Sequence, residues 1–285
     1  MSTRVTITGT GTPIQTADRA GPGVLVETST TKLQFDAGRG TVMRLAAVGS
    51  RLTDLDGLFV THHHSDHIAG IPDLLMTRWL NDIEKIGIPD LPIHVPEGPA
   101  VGIVRGMLDV WKPEMEMRRN HTGRPNIAGV DVRPFSADKA SAVTVGTFGD
   151  TEVSAIAVEH SPVEAAVAYR VDTPAGSVVI SGDTDVCRQV EELTDDCDVL
   201  VHEAIMADML EGLLSNPRKL LEYHTEPHDV GVLAARAGVR TVILTHLVPP
   251  PGDEAGREAY AEAVREGGFT GELIVADDLS SVTLG

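Results

Sequence analysis

Thr61-His62-His63-His64-Ser65-Asp66-His67 places four imidazoles and a carboxylate within six residues, directly after the apolar run Gly57-Leu-Phe-Val-Thr61. The run reads as a short strand, so the polar residues sit where a strand opens into a turn. A borderline divalent metal takes nitrogen and oxygen ligands at about 2.0–2.2 Å. Strand alternation aims His62 and His64 at one point and sends His63 the other way. The tightening turn brings Asp66 and His67 to a second point nearby. Two cations about 3.5–4 Å apart would hold a bridging hydroxide and clamp both oxygens of a displacement at phosphorus, sulfur or carbonyl carbon. An exposed polar tract is the plainer reading, but it leaves the interposed carboxylate without a purpose.

Outward from this stretch, β-branched content and alternation predict strands over Val5–Thr8, Val24–Glu27 and Lys32–Asp36, then Val153–Val158, Ala166–Val171, Ser177–Ile180, Val199–Val201 and Val242–Thr245. Helices are expected after Gly40, over Ile68–Leu80 with a break near Pro72, and over Asp229–Ala237 closed by Gly238. Strands in both halves with interspersed helices predict an α/β fold, a four-layer αββα sandwich. No linker divides the chain, so one domain over 1–285 is expected. Asn81–Pro96 and Lys112–Gly129, rich in Pro, Gly and charge, read as loops or lid pieces near the site.

Composition narrows the function. With 23 Lys and Arg against 42 Asp and Glu, the net charge of the 285-residue chain is −19, which argues against nucleic acid as the main partner. Cys187 and Cys197 make no disulfide framework. The start of the chain has no signal-peptide h-region, and no stretch approaches a membrane span, so a cytoplasmic protein is expected. Gly9-Thr-Gly11-Thr-Pro13 has no helix to follow it and reads as a turn between strands. No Gly-x-Ser-x-Gly elbow supports a serine hydrolase.

The His62–His67 stretch, with Asp36-Ala-Gly-Arg-Gly40 upstream and Glu159-His160-Ser-Pro, Ser181-Gly-Asp183-Thr and Leu244-Thr-His246 following in order, resembles the metallo-β-lactamase superfamily of dinuclear hydrolases. The resemblance spans nearly the whole chain. It implies His62, His64 and His160 as ligands of one metal, Asp66, His67 and His246 as ligands of the other, and Asp183 as the bridge. That set suits two Zn²⁺ ions, with Mn²⁺ and Fe as the other metals it admits. Val201-His-Glu203-Ala and Tyr223-His224-Thr resemble the ribonuclease Z-like and arylsulfatase-like branch and imply a Glu203–His224 pair beside the metals. A carboxylate on one ring nitrogen would hold that imidazole charged, ready to protonate a leaving oxygen. Ribonuclease Z enzymes carry an RNA-gripping arm between the counterparts of His160 and Asp183. Here 22 residues separate these two positions, filled by two strand patterns.

The expected function is therefore a dinuclear metal-dependent hydrolase in which a metal-bridging hydroxide cleaves a small anionic ester. Asp66, His224 and Glu203 are its catalytic residues. A phosphodiester is the first substrate class, an aryl sulfate or lactone the alternative, and a non-catalytic metal-binding or sensing module the remote one. A homodimer follows from the resemblance alone. Arg19 reads either as reaching the metal cleft or as a surface ion pair. Lys112, Arg118, Arg119 and Arg124 form a basic concentration facing solvent or an anionic substrate. Met206–Leu214, apolar at helical spacing, reads as a roof over the site, a dimer face or plain core.

Overall fold

A computed structural model describes residues 2–212 and 214–285 of the chain. The first half runs β1 (Thr3–Gly9), β2 (Gly23–Glu27), β3 (Lys32–Phe35), α1 (Thr41–Ala47), β4 (Gly57–Phe59), α2 (Ser65–Ile68), α3 (Ile71–Leu80), β5 (Pro92–Pro96), α4 (Pro99–Gly106), α5 (Lys112–Thr122) and β6 (Asp131–Phe135). The second half runs β7 (Val143–Phe148), β8 (Thr151–Ala157), β9 (Val167–Thr173), β10 (Gly176–Ile180), α6 (Arg188–Thr194), β11 (Val199–Ile205), α7 (Pro227–Arg236), β12 (Thr241–Val248), α8 (Glu254–Glu266), β13 (Glu272–Val275) and β14 (Ser281–Leu284).

Two seven-stranded sheets result, in the orders β14-β1-β2-β3-β4-β5-β6 and β13-β12-β11-β10-β9-β8-β7. Pairing is antiparallel on one side of each sheet and parallel on the other, from β3 to β6 and from β10 to β13. The period-2 alternation decides which residue faces which layer. Val178, Ile180, Val199, Val201 and Ile243 pack between the sheets with Val5, Ile7, Phe35 and Phe59. Their neighbours Val179, Leu200, Val242 and Leu244 face outward onto α6, α7 and α8. Leu58 and Val60 likewise meet α3 and α4 on the far side of the first sheet. Strands buried on both faces read as unbroken Val/Leu/Ile runs, as these do. The four-layer αββα sandwich is the observed architecture. Among the described residues, no helix is long and apolar enough to cross a membrane.

Several segments differ from the sequence reading. Asn81–Pro96 and Lys112–Gly129 are not simply loops. Pro92–Pro96 is strand β5 inside the first sheet, and Lys112–Thr122 is helix α5, anchored by buried Met115. The expected helix over Ile68–Leu80 is two helices, broken at Ala69–Gly70, with Pro72 in the first turn of α3, where its missing N–H costs nothing. Among the described residues of the stretch 206–214 there is no helix of 3.6-residue period: Ala207–Leu210 form a single 3₁₀ turn, Met206 and Leu210 turn inward, Met209 and Leu214 are exposed, and Leu213 lies outside the described residues.

Candidate metal centre

Most of the polar residues of interest sit at or near the end of a strand of the parallel half, whereas His160 follows antiparallel strand β8 and His224 precedes α7. Val60 O, just beyond β4, accepts from Tyr169 Oη (2.7 Å), and Thr61 O accepts from Val167 N (3.0 Å). The second sheet thus clasps the strand end that launches the histidine stretch. The turn is held from below by the loop after β3. Ala37 N donates to His67 O and Gly70 N to Ala37 O, each at 2.8 Å. This approach is so close that a Cβ on Gly38 would lie 2.3 Å from Asp66 O, and one on Gly70 would lie 2.1 Å from Gly38 O. Only glycine fits at either position.

His246 reaches the site through a bulge. Thr245 pairs with Glu203 and Leu247 with Ala204, so His246 is an extra residue in β12, at φ 48°. Leu244 and Leu247 both face the helices, which leaves Thr245 and His246 together on the opposite face. Glu203, the register partner of Thr245, projects there too.

The seven residues implied as ligands converge in two groups: His62, His64, His160 with Asp183, and Asp66, His67 with His246. In the first, His160 Nε2 and His64 Nδ1 are 3.3 Å apart, and Asp183 Oδ2 lies 3.8 Å from His62 Nε2 and 3.9 Å from His160 Nε2. In the second, Asp66 Oδ2 lies 3.3 Å from His246 Nε2 and 3.8 Å from His67 Nε2. Asp183 touches this group as well, at 3.3 Å from His67 Nε2 and 3.7 Å from His246 Nε2. Ligands at about 2.0–2.2 Å in a tetrahedron stand roughly 3.3–3.6 Å from one another; the pairs at 3.3 Å match such an edge, and those at 3.7–3.9 Å stand slightly wider. His62 Nε2, His67 Nε2 and Asp183 Oδ1 are buried without a hydrogen-bond partner. A protein leaves such atoms bare at a cost unless something else occupies them. The residues present fit divalent cations. His63, as expected, is in neither group.

Electrostatics divide the histidines. Burial pushes His62 well below the ordinary imidazole range, helped by His67, and lowers His64 and His160, leaving their ring nitrogens free as donors. Burial opposes charge on His67 and His246, but Asp183, with Asp36 and Asp66, raises both. Asp183 is held well below the carboxylate range despite burial, by His246 and His67.

The outer partners were less visible in the sequence. His67 Nδ1 lies 2.7 Å from Asp36 Oδ2, and Asp36 also accepts from Thr61 Oγ1 (2.7 Å) and Thr61 N (2.8 Å). His160 Nδ1 donates to Tyr223 O at 2.8 Å. Such partners fix the ring and tautomer of a ligand histidine. The sequence motif around Asp36 does not itself assign this role, and a backbone carbonyl such as Tyr223 O leaves no sequence trace.

Beside the two groups, His224 Nδ1 sits 2.7 Å from Glu203 Oε1, both side chains buried, with the His224 ring 5.0 Å from that of His160. Burial opposes its charge, yet Glu203 raises His224 to about 9. Arg19 does not enter the site: it is buried, donating to Thr10 Oγ1 and pairing with Asp277 at 2.8 Å. Of the basic concentration, Arg124 is committed to the fold, and Lys112 and Arg118 are exposed on α5. Arg124 caps the carbonyls of Trp79, Leu80 and Asp82, and Arg118 pairs with Glu114.

The profile of the β-lactamase superfamily domain matches residues 24–247. The chain belongs to the metallo-β-lactamase superfamily. Within the superfamily it falls in the ribonuclease Z-like branch. A protein named Ribonuclease Z from Mycolicibacterium gilvum is 36% identical over 284 residues, covering 98% of this chain and 95% of that protein. A Ribonuclease Z from Mycobacterium avium is 35% identical over 283 residues, covering 98% and 97%. Among solved structures, the metallo-β-lactamase fold protein YhfI from Bacillus subtilis superposes with a TM-score of 0.75 at 19% identity, over 99% of this chain and 100% of that one. The short form of human tRNase Z gives 0.69 at 20% identity, over 99% of each.

These relatives overturn the expectation that nucleic acid is an unlikely partner and that the substrate is a small ester. A whole-chain charge of −19 is a sum over the surface and does not describe the field at one cleft. The absent arm, whose interval is the plain β9–β10 hairpin, does not set the chain apart, because proteins named Ribonuclease Z align with it end to end. The arylsulfatase and lactonase alternatives draw no support from these relatives.

Proposed function

We propose that this superfamily member is a ribonuclease Z-like phosphodiesterase that hydrolyses an RNA phosphodiester, with a tRNA precursor as its substrate class. The observation that carries the reading is the meeting of two donor groups at Asp183, beside the Glu203–His224 pair, in a chain alike end to end to proteins named Ribonuclease Z.

His62, His64 and His160 would hold one divalent cation, Asp66, His67 and His246 a second, and Asp183 both; the nitrogen-rich set suits zinc. When bound, two such cations supply an acidified water and offset the charge on phosphate oxygens. Asp66, spaced from His246 by one ligand edge, orients the attacking water by accepting its hydrogen. His224, kept protonated by Glu203, donates to the leaving oxygen as the P–O bond breaks. Tyr223, half-buried with its ring 4.8 Å from that of His224, offers an aromatic face to the nucleotide. A cytoplasmic location fits an RNA substrate.

The test is direct. Protein reconstituted with zinc should trim the 3′ trailer from a tRNA precursor, and Asp66→Ala should lower kcat by about three orders of magnitude or more with substrate binding retained. A wild-type protein that leaves RNA intact, or an Asp66→Ala variant of full activity, would remove the reading.

A further inference from the structure

Between the two sheets lies a cavity of about 30 Å³, lined on its polar side by Asp36, His67, Asp183, Glu203, Thr245 and His246. Beyond His67 Nε2 and Asp183 Oδ1, which belong to the two donor groups, three side-chain atoms of this lining are buried without a hydrogen-bond partner: Glu203 Oε2, Thr245 Oγ1 and His246 Nδ1. Their proximity follows from the sheet. Glu203 and Thr245 are register partners on adjacent strands, and the bulge turns His246 to their side.

The gap at His246 is specific. His67, His160 and His62 each have an outer partner on Nδ1: Asp36 at 2.7 Å, Tyr223 O at 2.8 Å and Thr61 Oγ1 at 3.1 Å. His246 turns Nε2 toward Asp66 and Asp183, and its Nδ1 has nothing. A ring with its lone pair on Nε2 carries its hydrogen on Nδ1, so the bare atom is a donor. Glu203 Oε2 is an acceptor, and the Thr245 hydroxyl is both. A site needs about 10–15 Å³ and two to four polar partners to hold a water, and this one meets both conditions.

We infer that the cavity binds an ordered water that accepts from His246 Nδ1 and bridges to Glu203 Oε2 and Thr245 Oγ1. Thr245 then acts as a positioning residue. Through the water it fixes the ring of His246 and the free oxygen of Glu203, whose other oxygen holds His224. One hydrogen-bonded chain joins the second donor group to the residue assigned to the leaving oxygen. The inference rests on the reading of His246 as a ligand through Nε2, and its own test does not depend on RNA cleavage.

Crystals of the wild-type protein, metal-free and zinc-loaded, should show a water within hydrogen-bond distance of all three atoms. Thr245→Val, which keeps the shape and removes the hydroxyl, should displace or disorder that water and weaken zinc binding by chelator competition roughly 10-fold or more, the range of lost outer partners. Thr245→Ser should restore both. Melting of the metal-free variants should match wild type, which separates lost positioning from lost folding. A dry cavity in the wild type, or zinc affinity equal across wild type and both variants, overturns the inference. RNA cleavage by a protein with a dry cavity would sink this inference alone, and a filled cavity in a protein inert toward RNA would sink the proposed activity alone.

Discussion

Asp36 and His246 are non-glycine residues with left-handed backbone, at φ 51° and 48°. Such conformations cost on the order of 1–3 kcal/mol and persist where the surroundings over-determine them. Both serve the site, one as the acceptor on His67 and the other as a donor-group member. Asp36→Asn should therefore weaken zinc binding by roughly 10–100-fold with little change in fold, measured by chelator competition and circular dichroism. His224 carries the pH dependence. Its pKa, raised to about 9 from an ordinary 6.5, means the acid form persists through neutrality. The stability that the Glu203 pair contributes is complete below pH 6.5 and is lost as pH rises toward 9. Cleavage should fall on the same alkaline side, and Glu203→Gln should move that falling limb toward neutral pH while lowering kcat. An unmoved limb in kcat–pH profiles would mean that His224 is not the acid. His62, His64, Asp66 and His67 were legible because they are contiguous and their spacing matches a strand end. His160, Asp183, His246, Glu203 and His224 were legible only through resemblance. The Tyr223 carbonyl and the Thr245 hydroxyl were not legible at all, since their roles come from long-range packing.

At the scale of elements, legibility followed burial. Strands β10, β11 and β12, covered on both faces, are marked by the apolar runs Val178–Ile180, Val199–Val201 and Val242–Leu244. Strand β6 and helix α5 carry Pro and charge and expose much of their surface, so composition alone made the α5 stretch look like loop. The junction of α2 and α3 depends on backbone approach, which a sequence shows only as two glycines. Gly38→Ala and Gly70→Ala each place a methyl within 2.3 Å of a backbone oxygen. Either should displace the turn bearing Asp66 and His67, reducing zinc content and activity together and lowering the melting temperature. Full zinc content in both variants would show that the turn is set by something other than this contact.

For the whole molecule, the four layers were readable from the order of elements, but the substrate class was not readable from net charge. Strand β14 closes the architecture. After β13 in the second sheet, the chain crosses back and pairs with β1 in the first, and Asp278 on the way accepts from Thr10, Ala20 and Arg44. Removing residues 281–285 should lower the stability of both sheets in one cooperative transition, and two separate transitions in calorimetry would contradict that coupling. The proposed assembly is two cation sites, built from distant strand ends and sharing Asp183. Anomalous diffraction at the zinc edge from reconstituted crystals tests it most directly. Two peaks are predicted, one against His62, His64 and His160 and one against Asp66, His67 and His246, with Asp183 contacting both; a single peak, or peaks away from these residues, would contradict it.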